Sequence, residues 1–454
     1  MLPKSVIGLG LLLVLAACDT PLLPDVPERR AAVLPDVLPT MNQFGPARPL
    51  PPTRSNAAIA TDILDLSFAM ESGREIAQMS RFEGPIAVRV TPGAPPSLVP
   101  DLDRLIGRLR NEAAIDIRRV PFEDEAANIT IETLPRARMQ RSVPAAACFV
   151  VPRVASWAEF RGARSGRDLD WTTLETRTRV AVFIPSDVSP QEIRDCLHEE
   201  VAQAIGPLND LYRLHDSVFN DDNLNAVLTG FDMLVLRAYY DPAIRSGMTR
   251  PQAAAVLPDI LRRLNPAGER ALADLAPRTP RPWIDAIEAA LGPGTRSTNR
   301  VAAAERAVSI AEEANIDDGR LAFSYFALGR LTLSRDVERS INAFLASANI
   351  YDRIAPGGIQ SAHVKMQLAA FALSSGRADQ ALLLVNSALP AATQAQNAAL
   401  LSTLLMIRAE ALDDLGRPSE AQATRLDSLA WGRYGFGANA AVGARLTEVA
   451  ALSP

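Results

Sequence analysis

The sequence predicts an α+β domain followed by an all-α domain of helical repeats. At 454 residues the chain is too long for one compact core. Between residues 56 and 290, short alternating apolar segments are interspersed with amphipathic helical patterns. From about Val301 the chain turns rich in alanine and leucine, and its periodicity is helical throughout. The net charge of -5 argues against nucleic acid as a partner.

The first 18 residues have the features of an export signal. Lys4 supplies the positive start, residues 6–15 form an apolar run, and Leu-Ala-Ala-Cys at 15–18 resembles the bacterial lipobox. The resemblance implies cleavage before Cys18, acylation of its thiol and a lipid anchor facing the periplasm. Asp19 slightly favours the inner membrane. An ordinary secretion signal with an incidental cysteine is the alternative.

Residues 19–55 are rich in proline, which favours a disordered tether between the lipid and the folded domain. The first domain should then span residues 56–290. Its predicted strands lie at 86–90, 115–117, 128–131, 148–151 and 178–184, because apolar residues alternate or cluster there. Helical spacing of apolar residues predicts helices at 56–70 and 98–109. Another helix should begin at the N-cap Ser189, with Pro190 in its first turn, and end at Gly206.

Two cysteines remain in the exported chain, Cys148 and Cys196. In an oxidising compartment they are expected to pair, and the disulfide would contribute roughly 3–4 kcal/mol. Two separate buried thiols are the alternative.

The most informative segment is residues 199–210, Glu-Glu-Val-Ala-Gln-Ala-Ile-Gly-Pro-Leu-Asn-Asp. It resembles the metzincin pattern His-Glu-x-x-His-x-x-Gly-x-x-His-Asp, in which three histidines hold zinc. The resemblance implies a general base at Glu200, a helix end at Gly206 and a retained Asp210. The slots of the three metal ligands hold Glu199, Gln203 and Asn209.

A set of three oxygen donors suits zinc poorly, since zinc prefers imidazole and thiolate. Calcium would accept these oxygens more readily. The expectation is therefore no cofactor, with zinc or calcium as the less favoured alternative. A metal-free catalytic cleft and a relic hydrogen-bond network also stay open. An alternative alignment would place His198 at the first histidine of the metzincin pattern. That alignment loses the match to Gly206 and Asp210.

The metzincin resemblance continues through residues 228–241, which are similar to the helix after the methionine turn. Asp232 and Tyr240 fit that pattern, and Phe219 stands where the methionine would be. Thr229 and Asp232 also form a capping box in purely structural terms. The order of strand, helix, strands and motif helix is likewise that of a zincin domain.

Residues 56–290 resemble a DUF2927-type family of proteobacterial lipoproteins with a degenerate zinc motif. The resemblance rests on Glu-Ser-Gly-Arg at 71–74, Arg-Phe-Glu-Gly-Pro at 81–85, the motif at 199–210, Phe-Asn-Asp at 219–221 and Tyr-Asp-Pro at 240–242. It implies a zincin-like fold more than it implies an activity.

Residues 300–436 are similar to tetratricopeptide-type repeats. Helical hairpins are expected around 321–350, 363–389 and 399–431, with turns at Gly329, Gly376 and Gly416. A non-repeating bundle is the alternative. Residues 437–454 are expected to be a C-terminal tail.

The favoured hypothesis is a lipid-anchored pseudo-metallopeptidase. Its zincin-like domain would bind a peptide or protein partner, and its repeats would supply a second surface. The alternative is an active metallopeptidase with altered ligation and Glu200 as general base. A third hypothesis is an adaptor in which only the repeats bind.

Overall fold

The computed structural model describes residues 35, 37–163, 167–270, 276–292 and 295–453. The signal sequence and Cys18 lie outside the described residues, so the lipid anchor stays a prediction. In the described part of the chain, no helix combines the length and apolarity of a membrane span.

The N-terminal domain is built on a mixed five-stranded sheet with the strand order β2-β1-β3-β5-β4. Strands β1, β2, β3 and β5 are parallel, and the edge strand β4 is antiparallel to β5. The strands are β1 (Ile86–Val90), β2 (Ile117–Arg119), β3 (Ile129–Leu134), β4 (Phe149–Pro152) and β5 (Val180–Pro185). The predicted strands are confirmed, with shifts of one or two residues at most of their ends.

Helices cover both faces of this sheet. They are α1 (Asn56–Ser67), α2 (Leu98–Glu112), α3 (Arg136–Gln140), α4 (Trp157–Ala163), α5 (Pro190–Ile205), α6 (Gly230–Tyr239) and α7 (Arg250–Leu264). Every residue of β5 is buried, and its side chains alternate between two apolar clusters. Val182 joins the main core with α2 and α5, whereas Phe183 packs with Trp157 and Phe160 on the opposite face. The motif helix α5 therefore lies against the centre of the domain.

A disulfide joins Cys148 to Cys196, and their Cα atoms are 6.0 Å apart. It fastens the start of the edge strand β4 to the middle of α5. The link therefore fixes one side of the motif helix to the sheet.

The rest of the chain is a long all-helical region. Its helices are α8 (Arg281–Leu291), α9 (Ser297–Glu313), α10 (Gly319–Thr332), α11 (Val337–Ile354), α12 (Ile359–Ser374), α13 (Ala378–Gln394), α14 (Ala398–Asp414), α15 (Pro418–Gly435) and α16 (Asn439–Ala450). The three expected hairpins correspond to α10–α11, α12–α13 and α14–α15. Trp283 of α8 is buried with residues of α9 and α10, so the helical region begins before residue 290.

Two details of the helical region differ from the sequence predictions. Residues 437–454 are not simply a tail, because α16 buries Val442 and Leu446 against the core of the helical region. Gly329 does not mark a turn; it lies inside α10, where an added Cβ would lie 2.8 Å from the Phe344 ring. Gly376 and Gly416 do lie at turns, with φ of 68° and 72°.

The expected disorder of the tether is wrong for residues 37–55, which pack along the folded domains without regular secondary structure. The backbone N–H of Asn42 donates to the carbonyl of Ala430 at 3.1 Å. The Phe44 ring stacks on Trp431 with centroids 4.4 Å apart. The folded domains thus supply the apolar partners that the proline-rich segment lacks by itself.

Candidate functional site

The motif helix α5 begins and ends as its sequence predicts. The Ser189 hydroxyl accepts from the backbone N–H of Glu192 at 3.1 Å, and Pro190 occupies the first turn. Gly206 ends the helix where α6 approaches closely, since a Cβ there would lie 2.6 Å from the Leu236 side chain. A larger residue at position 206 would force the Leu236 side chain to shift.

The carboxyl end of α5 is held by two side chains from other elements. The buried Arg177 guanidinium donates to the backbone oxygens of Gln203, Ala204 and Gly206 at 2.6, 2.8 and 2.6 Å. The Tyr240 hydroxyl donates to the oxygen of Ile205 at 2.8 Å. These bonds satisfy carbonyls that a helix end leaves without partners. Sequence reasoning identified Tyr240 as a motif residue but missed Arg177.

The segment that resembles the methionine turn packs under α6. Thr229 and Asp232 form the predicted capping box. The Asp232 carboxylate also accepts from the Ser217 hydroxyl and from the N–H of Val218, while Phe219 is fully buried. Burial raises the pKa of Asp232 to about 6. These contacts give Phe219 and Asp232 a structural role in holding the turn against α6.

One of the three ligand slots, Asn209, has its amide nitrogen bonded outside the motif. The Asn209 side chain donates to the backbone oxygen of Asp65 at 2.9 Å, which ties the turn to α1. Gln203 instead places its amide 3.3 Å from Glu71 and 3.5 Å from Asp210, measured from Nε2 to the carboxylate oxygens. The cleft is therefore formed by Gln203 with Asp210 and Glu71, and the Asn209 amide nitrogen is engaged elsewhere.

Glu199 and Glu200 extend the cleft towards the disulfide. Their carboxylate oxygens and the Cys148 sulfur lie within 4.8 Å of one another. Glu200 is 4% exposed, and its Oε2 has no hydrogen-bond partner among the described residues. Since Cys148 is half of the disulfide, its sulfur is not a thiolate. This end of the cleft therefore presents carboxylate oxygens as its strong donors.

Burial, reinforced by repulsion between neighbouring carboxylates, raises the pKa values of the cleft. Burial, followed by the charges of Glu71, Asp221 and Asp195, raises the pKa of Glu199 to about 8. The pKa values of Glu200 and Asp210 are also raised well above the ordinary range, again chiefly by burial and then by carboxylate neighbours. In the described residues no lysine or arginine forms an ion pair with any of the five cleft carboxylates, Glu71, Glu199, Glu200, Asp210 and Asp221. We call these five residues, together with Gln203, the acidic cleft.

The acidic cleft does not fit zinc. Glu199 and Gln203 offer zinc only oxygen atoms, and the Asn209 amide nitrogen is bonded to Asp65. The nearby Cys148 sulfur belongs to a disulfide and is not a thiolate. Neither histidine of the domain supplies the missing nitrogen donors: His198 accepts from the N–H of Leu228, and burial lowers the pKa of His215. Neither is among the described groups that surround the cleft carboxylates.

Residues 56–259 match the family model described as "Protein of unknown function (DUF2927)". This match supports the family assignment for that part of the chain. No curated protein matches the chain. Among solved structures, the crystal structure of BtubC (BKLC) from P. vanneervenii is similar at 15% identity over 54% of this chain and 91% of that chain. The TM-score of 0.30 is too low to indicate a shared fold.

Replacing Arg177 by methionine should destabilise the domain by about 3–5 kcal/mol, because three carbonyls at the end of α5 lose a charged donor. Denaturant unfolding measures the loss. Arg179→Met is the matched control: this arginine lies two residues away, and its side chain is 48% exposed. Equal losses in the two variants would contradict a specific role for Arg177.

The raised pKa of Glu199 also predicts a pH dependence of stability. Because the folded chain binds this proton more tightly than the unfolded chain, the stabilisation is complete below about pH 4.5 and is lost as the pH rises towards about 8. Glu199→Gln should flatten the fall in melting temperature across this range. At about pH 8 the variant should gain about 1–2 kcal/mol.

The exposed Glu175 provides the control, since Glu175→Gln removes a carboxylate outside the acidic cleft. Its melting temperature should follow the wild-type profile. A Glu199→Gln profile that overlays the wild type would mean that Glu199 is already ionised in the folded chain.

Proposed function

We propose that this protein is a periplasm-facing, lipid-anchored binding protein whose acidic cleft holds a basic side chain of a peptide or protein partner. The observation that carries the proposal is the set of carboxylates that form no ion pair with a lysine or arginine among the described residues. Buried charges are normally paired, and an unpaired cluster is stabilised by a cation from outside.

The gradient of burial across the acidic cleft favours a side chain that enters from the surface. Glu71 is exposed on the turn after α1, whereas Glu200 is buried at the inner end. A lysine or arginine entering from the rim would meet carboxylates along its length. Its charge would stabilise the ionised carboxylates, whose pKa values burial raises, and the attraction would be strong because Glu200 is buried.

The zincin-like identity of the domain belongs to this proposal. It is supported by the order of strand, helix, strands and motif helix, and by the turn at Gly206 followed by the Thr229–Asp232 capping box. The active peptidase is the weaker alternative. The set of donors around Glu200 does not fit zinc, so the metal that a peptidase of this type requires would lack its ligands.

The helical hairpins would supply a second binding surface, as in tetratricopeptide-type arrays. Two leucines on their outer faces support this, since Leu383 is 72% exposed and Leu345 is 45% exposed. The lipid anchor at Cys18 rests on the sequence alone.

Selection from a displayed library of random peptides tests the proposal even though the partner is unidentified. Wild-type protein should enrich peptides that contain lysine or arginine, and added salt should weaken their binding. Glu71→Gln and Glu199→Gln should each reduce affinity for the enriched peptides by about tenfold, because each removes one carboxylate from the cation.

Glu175→Gln should bind the same peptides as tightly as the wild type. The proposal fails if the selection enriches no basic residue, or if the enriched peptides bind both cleft variants with unchanged affinity. Cleavage of bound peptides by wild-type protein but not by Glu200→Gln would favour the peptidase instead.

A further inference from the structure

The opposite side of α5 lines a second cavity, of about 300 Å³, which plays no part in the acidic cleft. It lies where α2, α5 and α15 meet the proline-rich segment. We call it the arginine pocket and define it by Arg104, Arg108, Arg194, His198, Phe44 and Tyr434.

Arg108 on α2 brings a donor without a partner. Its Nε and Nη2 hold both carboxylate oxygens of Glu112, at 2.8 and 2.9 Å. The remaining Nη1 has no hydrogen-bond partner among the described residues, although the residue is buried and only 9% exposed. An unbonded guanidinium N–H in such a place is costly unless something accepts from it.

Arg194 on α5 brings a second such donor and is 4% exposed. Its Nη2 donates to the backbone oxygen of Gln396 at 2.6 Å, and its guanidinium stacks near the rings of Tyr434 and Phe44. Its Nε lacks a partner in the described chain. The packing on both rings holds the guanidinium plane in place, so the free N–H has a fixed direction.

His198, one turn after Arg194, adds a neutral donor. Its Nδ1 accepts from the backbone N–H of Leu228 at 3.1 Å, which places the ring proton on Nε2. Burial and then the charges of Arg108, Arg194 and Arg104 lower its pKa, so the potential around the ring is positive.

The carboxylates of the arginine pocket are already engaged: Asp101 and Glu112 line the pocket, and Asp195 next to it pairs with Arg194 at 3.3 Å. Asp101 accepts from the Tyr434 hydroxyl at 2.9 Å and pairs with Arg104, and Glu112 is occupied by Arg108. They therefore leave the free donors of Arg108, Arg194 and His198 available to another acceptor.

We propose that the arginine pocket binds a phosphate group, either as inorganic phosphate or as the monoester of a small molecule. Donors from α2 and from α5 approach from two walls, which suits a tetrahedral oxyanion that accepts on several sides. The cavity exceeds the volume of one phosphate, and the rings of Phe44 and Tyr434 form an apolar wall for an attached organic group.

Titration calorimetry of the whole folded protein with inorganic phosphate, glycerol phosphate and acetate tests this proposal. At least one phosphate probe should bind with a submillimolar dissociation constant, and acetate should bind more weakly. Arg108→Gln and Arg194→Gln should each weaken phosphate binding by about tenfold or more. Tighter binding of glycerol phosphate would assign the monoester, and equal binding would assign the inorganic ion.

Arg110→Gln is the control, because Arg110 is exposed on the same helix and carries the same charge. Its affinity should stay within about twofold of the wild type. A second measurement follows the histidine ring signals of the wild-type protein by NMR during a phosphate titration. Phosphate should shift the signals of one histidine. The loss of those signals in His198→Gln would assign them to His198. The proposal is wrong if neither phosphate probe binds, if acetate binds equally well, or if Arg110→Gln weakens binding as much as Arg108→Gln does.

Discussion

The bonds from the Arg177 guanidinium to the last carbonyls of α5 fix the geometry on which both candidate sites depend. An arginine at this position completes the helix end and stacks on the Trp171 ring within 5.0 Å. Together with the disulfide at Cys196, it attaches α5 to the rest of the domain at the middle and at the end of the helix. A helix that is held at two points can carry polar side chains at defined places on two of its sides.

Those two sides of α5 have opposite electrostatic character. Glu199 and Gln203 face a cluster of carboxylates, whereas Arg194 and His198 face two further arginines of α2. Burying either the acidic cluster or the basic cluster without partners would cost free energy, because a buried charge needs a group of opposite charge beside it. Burial raises the carboxyl pKa values on the acidic side, and two arginine N–H groups on the basic side lack partners among the described residues. The ligands that we propose, each of opposite charge, would stabilise both sides.

Local signals predicted much of the fold. The alternation of apolar residues predicts the strand Ile86–Val90, and a serine cap and a terminal glycine predict the two ends of α5. All of these signals act within a few residues. The partners of α5 could not be predicted in this way. Arg177 is 26 residues from the first carbonyl that it binds, and Glu71 is 132 residues from Gln203.

The wrong predictions share that cause. Composition favoured a disordered tether through residue 55, because the surface that orders Phe44 belongs to Trp431, far along the chain. Gly329 was expected at a turn, but glycine also serves where two helices touch, and sequence does not separate these uses. The metzincin spacing correctly indicated a helix and turn, yet it said nothing about where the Asn209 side chain points.

Elemental analysis of the purified protein, with zinc added and then removed by dialysis, tests the central claim most directly. That claim is that α5 retains the spacing of a zinc peptidase while its cleft carries only carboxylate and amide groups. We expect no stoichiometric zinc and no change in metal content on Glu199→Gln. Retention of stoichiometric zinc that disappears on Glu199→Gln, together with peptide hydrolysis that disappears on Glu200→Gln, would contradict it.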